Sequence, residues 1–421
     1  MDLIDIVLAR RKSLDDISTI LSTIDHAQIQ DFVGAIDAVI AHKADELGIE
    51  DLASVEDLVV KIKELEANKP PKSYGVEWSY SDSLTTLTRT GDAALFSDPS
   101  PATTLNGSGT SPFDTIAPWK NMKRYNVIDG TIAFSEKDAS FSETDYDTVV
   151  YIPVFYYATS QDTDTHKRTW SISPTPQSGY VRHPGSGRYV GRFFTSGDSF
   201  GVFSKSGVTP LVSATRGEFR TYSSNKGTKW QQLDLATWSA IQMLYIVEFA
   251  NWDSETILGK GYDSSNLINT GETSNSTYHT IKGINSSNCY RWIENPFGGL
   301  FTFIDGVLLS DKEVYINLNN PTASDEVANM TDSGILLPNN GFISDLAYPV
   351  GYPWLFVPNA AAGTASSYIT DHIGAGSGLR AVCVGGDYSG NEGSCGFFCF
   401  NGTYQLNDKS THISSRLQYT P

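Results

Sequence analysis

Four cysteines, seven histidines and two tight aspartate pairs carry most of the chemistry-bearing side chains of this 421-residue chain. Cys289, Cys383, Cys395 and Cys399 include no C-x-x-C pair, and three of them fall in the last 40 residues. Cys395 and Cys399 are the close pair that redox chemistry would need, although a cytosolic chain keeps its thiols reduced. No two of the histidines (His26, His42, His166, His183, His279, His372, His412) are spaced H-x-x-x-H, and none stands beside two cysteines at zinc spacing, so no zinc site is expected. Asp145-Tyr-Asp147 and Asp162-Thr-Asp164 offer hard oxygen ligands, the chemistry of Ca2+, yet neither completes a calcium loop. Solvated turn acids are the default for both pairs; no cofactor is expected, and Ca2+ is the alternative. Gly197-Asp-Ser-Phe-Gly201 matches G-x-S-x-G, which in serine hydrolases needs a strand before it and a helix after it. Val-Phe-Ser-Lys-Ser-Gly-Val-Thr-Pro follows, so a hairpin turn is expected there. Asn-x-Ser/Thr triplets at Asn106, Asn275, Asn285, Asn329 and Asn401 mark polar loops.

The net charge of −18 argues against nucleic acid, whose phosphates need Lys and Arg. Only 19% of residues are charged, while Gly (36), Tyr (21), Phe (20) and Trp (8) are plentiful. Such a balance suits a loop-rich, β-rich body or a displayed binding surface. No apolar run approaches the length of a membrane span. The start, MDLIDIVLARRKS, reverses the charge order of a secretory signal, so synthesis in a cytoplasm is expected, with exit by assembly or lysis.

Composition changes sharply at Pro70-Pro71. Residues 1–70 hold one aromatic, Phe32, and two glycines, Gly34 and Gly48. The spacing there predicts three short helices. Ser13 and Asp16 open the first, with Ile17, Ile20, Leu21 and Ile24 on its stripe; Asp25 caps the second, which carries Phe32, Ile36, Val39 and Ile40. Ser54-Val-Glu-Asp57 opens the third, with Leu58, Ile62 and Leu65. Narrow stripes on short helices gain stability by packing on each other or on other subunits. Attachment or oligomerisation is the functional reading, and a self-contained helical subdomain the other.

Beyond residue 71, β-type runs alternate with turns: 127–134, 148–157, 299–306, 313–318 and 379–386. Asn-Gly pairs at Asn106, Asn340 and Asn401 predict turns. One helix stands out, roughly Leu235 to Trp252, capped by Asp234 and apolar nearly all round, so it belongs buried against a sheet. The expected class is α+β: a helical segment over 1–70, then a loop-rich domain over 71–421, with 71–140 a candidate separate β-rich part.

From Ala360 to the end there are three basic residues, Arg380, Lys409 and Arg416. Small, polar and aromatic residues interrupt likely core strands at 379–384, 397–400 and 413–417, a composition suited to a binding face on a rigid sheet.

Gly378-Leu-Arg-Ala-Val-Cys-Val-Gly-Gly386, Gly396-Phe-Phe-Cys-Phe-Asn401 and Ser414-Ser-Arg-Leu417 resemble the variable proteins of diversity-generating retroelements, tropism-determining proteins of phages. Gly75-Val-Glu-Trp78, Thr86 to Asp92, Trp119 to Arg124 and Trp238 to Gln242 resemble a phage tail module of the same fold. The resemblance spans about 73–421. It implies a C-type-lectin fold of the type found in formylglycine-generating enzymes, and a ligand-binding variable region at about 368–421. In that family adenines of asparagine-type codons are mutated, which leaves Glu, Gln, Lys, Met and Trp unreachable. His372, Ile373, Gly374, Ala375, Cys383, Asp387, Tyr388, Ser389, Asn391, Cys399, Tyr404, Asn407, Asp408, Ser410, Thr411 and His412 all lie in the reachable set and are the candidate binding residues. Glu392, Gln405 and Lys409 depart from it. The resemblance further implies that the variable side chains share one face while Arg380, Gly385, Gly386 and Arg416 hold the scaffold.

The leading expectation is a tail-tip receptor-binding protein in the virion, not an enzyme, that binds a host surface protein or glycan. Residues 1–70 would dock other tail proteins in a homotrimer whose avidity multiplies weak sites. No nucleic acid and no membrane insertion are expected. A non-variable structural tail or decoration protein, and a formylglycine-generating-type oxidase built on Cys395 and Cys399, are the alternatives.

Overall fold

Aromatic and β-branched residues punctuated by Gly and Asn favour short strands and tight turns, and strands are what the chain forms beyond Pro71. The computed structural model describes residues 36–41, 54, 56–57, 59–60, 72–261, 267–284, 287–317, 325–388 and 395–421. The chain divides into two units, Met1–Pro71 and Lys72–Pro421.

In the first unit, residues 36–41, 56–57 and 59–60 are helical. Ser54 caps as expected: its hydroxyl accepts from the Asp57 amide at 3.1 Å and donates to the Asp57 carboxylate at 2.7 Å. Val39, Val59 and Val60 are exposed. The first expected helix, and most of the second and third, lie outside the described residues.

In the second unit the described residues form 28 strands and three α-helices. The protein is therefore mainly β, with 35% strand against 15% helix, and the expected α+β class is corrected. The expectation gave too much weight to one conspicuous helix. Only α2 (Leu235–Phe249) is long; α1 (Arg216–Asn225) has ten residues and α3 (Ser254–Leu258) five.

The strands build three main sheets. A five-stranded antiparallel sheet runs 88–91, 74–79, 167–173, 156–162, 181–182. A six-stranded antiparallel sheet runs 230–232, 417–419, 188–191, 147–152, 124–128, 131–135. A second six-stranded sheet is mixed: 341–342, 372–375, 396–402, 383–385, 301–303, 413–415, with parallel pairing of 372–375 to 396–402 and of 301–303 to 413–415. The last nine residues thus serve both six-stranded sheets.

Helix α2 is the central element. Asp234 caps it, accepting from the Thr237 amide at 2.8 Å, and Ala250 ends it in a left-handed conformation. All fifteen residues are buried. Trp238, Tyr245 and Phe249 meet Phe397, Phe398 and Tyr290 in one aromatic core. Its polar groups bond outward to other segments, with Ser239 donating to Trp354 O at 2.5 Å and Gln242 to Phe397 O at 2.7 Å. Trp119 Nε1 donates to Leu244 O at 3.0 Å. The Asn-Gly pair at Asn401 forms no turn: Asn401 pairs with Cys383 and Gly374 inside a strand, because flanking strands supply ladder partners that outweigh the local turn preference.

Candidate binding surface

The C-terminal strands form the base of the candidate surface. Arg416, fully buried between 413–415 and 417–419, donates to four backbone carbonyls: Gly191 (3.2 Å), Arg192 (3.0 Å), Glu294 (2.5 Å) and Asn295 (2.6 Å). Its guanidinium lies 4.4 Å over the Phe194 ring. Burial without a directly bonded carboxylate pulls its pKa down to about 9. Gly385 (φ 88°) and Gly386 (φ 74°) take the left-handed turn that leads out of the 383–385 strand. Arg380 is only half-buried, on a short strand paired with 309–310, and donates to its neighbour Leu379 O at 3.2 Å.

Above this base sits a linked polar cluster. Asp387 Oδ2 is 2.8 Å from His412 Nδ1, and His412 Nε2 is 3.3 Å from the Tyr388 hydroxyl. The Tyr388 and His412 rings stack with centroids 4.7 Å apart. Backbone bonds hold both residues, from the Tyr388 amide to Gly299 O (3.0 Å) and from the Phe301 amide to His412 O (3.0 Å). Tyr388 also packs on Phe194 and Leu300. Tyr404 leans edge-on against Phe301 and Phe303, and burial pushes its phenol up to about 12. Between Tyr404 and His412 the chain is braced at Asp408, which accepts from the Gln405 amide at 2.7 Å, and at Ser410, whose carbonyl accepts from the Ser213 amide at 2.9 Å. Asn407 and Thr411 project into solvent.

Not all candidate residues join this cluster. His372 and Ala375 are half-buried on the strand next to the opposite edge of the mixed sheet, with His372 against Phe342. Four strand spacings, roughly 19 Å, separate them from 413–415. Ile373, Cys383 and Cys399 are buried with their side chains in the core, Gly374 is buried backbone, and Asp387 is buried beside the half-buried His412. The candidates therefore occupy two separate patches and the interior rather than one face. Ser389 and Asn391 lie outside the described residues.

Cys383 and Cys399 share one apolar cluster with Phe303 and Ile413, and burial holds both thiols well above the ordinary range. Cys395 Sγ instead donates to Asp387 O at 3.0 Å. All four cysteines are reduced. Thiols so disfavoured as thiolates are poor nucleophiles.

The acidic pairs are engaged locally. Asp162 accepts from the Asp164 and Thr165 amides (2.9 and 3.2 Å), Asp145 from Ser142 (2.7 Å), and Asp147 from the Ser204 amide (2.7 Å) and Lys226 Nζ (2.8 Å). Among the described residues no three His, Cys, Asp or Glu side chains are grouped as a metal site. The G-x-S-x-G segment is a hairpin, 196–198 paired with 201–203, and Ser199 lies in its turn.

One charged constellation escaped the sequence reading. Glu248 of α2 receives Arg291 Nε (2.8 Å) and Nη2 (2.6 Å), Ser111 Oγ (2.8 Å) and the Tyr290 hydroxyl (3.1 Å). Arg291 continues to Asp114 (3.0 Å), which also meets His279 Nε2 (2.9 Å) and the Tyr278 hydroxyl (2.7 Å). These bonds against partial burial bring the Asp114 carboxyl down to about 2. With its donors and acceptors paired internally, the network braces the core. A lone carboxylate in an otherwise apolar helix was its sequence signal.

No family model matches the chain, and no curated protein matches it. Among solved structures, a Major Tropism Determinant U1 variant aligns with 84% of this chain and 73% of its own length, at 9% identity and a TM-score of 0.29. That likeness is distant and too low to carry an argument. Among the described residues no helix is long and apolar enough to cross a membrane.

Proposed function

We propose that the chain is a receptor-binding protein of a phage tail, which holds a host-surface protein or glycan on the surface formed by Tyr388, Tyr404, His412 and the intervening 407–411 segment. The carrying observation is the way these side chains are presented: half-buried aromatic rings beside exposed polar groups, on backbone that Arg416 and the two terminal strands hold in place. Rigid aromatic anchors flanked by small polar residues bind with little loss of conformational entropy. The mechanism is binding without turnover. The raised Cys383 and Cys399 thiols favour this over an oxidase.

In this reading the protein is a virion component at the tail tip. The first unit docks it to other tail proteins and trimerises it, a role that the exposed Val39, Val59 and Val60 support. A retroelement diversifies the 3′ end of the gene, and no bound cofactor takes part. Deep sequencing of that 3′ end across a natural population tests the proposal. Substitutions are expected at His372, Ala375, Tyr388, Tyr404, Asn407, Asp408, Ser410, Thr411 and His412, with Ile373, Gly374, Cys383, Cys399 and Arg416 constant. Purified variants from that set are expected to differ in adsorption to bacterial cells. A uniform 3′ end overturns the diversification and favours a non-variable structural tail protein.

A further inference from the structure

Phe200 is 98% exposed, yet it is displayed on an ordered turn. Asp198 Oδ1 accepts from both the Phe200 amide (2.8 Å) and the Gly201 amide (3.2 Å), and 196–198 pairs with 201–203 on either side. Beneath the turn lies an open hollow of about 150 Å³, walled by Phe200 and Val202 on the hairpin and by Tyr222, Asn225 and Lys226 at the end of α1. That is smaller than the sites of drug-sized ligands, about 300–1,000 Å³, and leaves room for a single small ring. An aromatic ring left in water at the rim of a hollow is a site for an apolar face to cover.

The polar groups of the hollow define what else the ligand must carry. The Ser199 hydroxyl, the Tyr222 hydroxyl and the Asn225 amide have no hydrogen-bond partner among the described residues. Together they offer donors and acceptors without charge. The one cation, Lys226, is already committed: its Nζ donates to Asp147 Oδ2 (2.8 Å) and Val202 O (2.6 Å) and lies 5.0 Å over Trp230. No free positive charge remains to hold a phosphate, carboxylate or sulfate, and the chain's net charge of −18 repels anions.

We infer that this hollow binds a neutral pyranose sugar, separately from the C-terminal surface. A pyranose presents a face of C–H bonds, which Phe200 covers, and a rim of hydroxyls, which Ser199, Tyr222 and Asn225 bond. The backbone around the hollow is preorganised by the Asp198 turn and by α1, whose start is capped reciprocally by Thr215 and Glu218, so binding orders little beyond the Phe200 ring.

The test uses the full chain and a panel of methyl glucoside, galactoside and mannoside with N-acetylglucosamine, read by saturation-transfer NMR and titration calorimetry, with N-acetylneuraminic acid as the anionic probe. At least one neutral sugar is expected to bind. Phe200→Ala is expected to weaken it by about fivefold or more, and Asn225→Ala to weaken it as well. Both side chains are exposed, so both variants keep the wild-type near-UV circular dichroism. Binding by none of the neutral sugars overturns the inference, as does binding that both variants retain in full or a preference for the anionic sugar.

Discussion

His183 is fully buried among Phe155, Tyr157 and Trp354, and its Nδ1 accepts from the Gly185 amide at 3.1 Å. That bond needs the neutral ring. Burial, reinforced by Arg188, lowers its pKa from 6.5 to about 3. The folded value lies below the unfolded one, so the stabilisation is present above about pH 6.5 and is lost as pH falls towards 3. Between pH 7 and 4 the ring accounts for a loss of about 3 kcal/mol. Guanidinium unfolding should show His183→Leu losing less stability than wild type over that interval; equal losses would sink the assignment. Asp371 has the opposite sign. It is fully buried, Oδ2 accepts from the Phe398 amide at 2.7 Å, Oδ1 has no partner, and burial raises its pKa well above the ordinary range. The folded value lies above the unfolded one, so ionisation of Asp371 removes stability as pH rises above the unfolded carboxyl value. Asp371→Asn is expected to be more stable than wild type at pH 8, with the difference vanishing near pH 3, where both states are protonated. A variant less stable at every pH would contradict this.

At the scale of elements, α2 depends on its one carboxylate. Glu248 is buried in a helix whose other faces are apolar, and Arg291 answers it with two guanidinium nitrogens. Replacing a buried pair by matched apolar groups is often neutral, but removing one partner leaves the other charge uncompensated, at a cost of about 3–5 kcal/mol. Glu248→Gln should therefore lower the thermal midpoint markedly, whereas Glu313→Gln, exposed on a strand, should leave it within error. The mixed sheet has a similar dependence at Gly396. With φ at 149°, a Cβ there would stand 2.1 Å from Asp371 Oδ1, so Gly396→Ala is expected to reduce soluble yield or the melting midpoint.

For the whole molecule, the end of the chain is a shared structural member. Residues 413–415 pair with 301–303, and 417–419 lie between 188–191 and 230–232. Ending the chain after His412 removes an edge strand from one six-stranded sheet and an interior strand from the other, together with Arg416. The truncated protein is expected to lose its cooperative unfolding transition by circular dichroism. Substitutions a few residues earlier, at the exposed Asn407 or Thr411, should change stability by less than about 0.5 kcal/mol. Substitution just ahead of a rigid terminus is tolerable for that reason: Asn407 and Thr411 face water, while Arg416 and the terminal strands hold the sheets together.

Local pattern determined much of this without any structure. Asp234 and the apolar run after it defined α2 and its start, Ser54 with Asp57 defined a cap, and the composition break at Pro70-Pro71 coincides with the division into two units. The residues after Gly201 identified the G-x-S-x-G segment as a hairpin. Caps, periodicity and turns act over a few residues, so they can be read from order alone. Only the tertiary structure decided the rest. The mainly β class emerged from strands as short as two residues, which acquire identity from ladder partners far away in sequence; Asn401 is in a strand rather than a turn because Cys383 and Gly374 flank it. The fourteen described candidate residues separate into two patches and an interior because strand order, not sequence proximity, sets distance across a sheet. The Asp387–His412–Tyr388 cluster and the Glu248–Arg291–Asp114 brace each close over long sequence separations, where a local window carries no information about which charges meet.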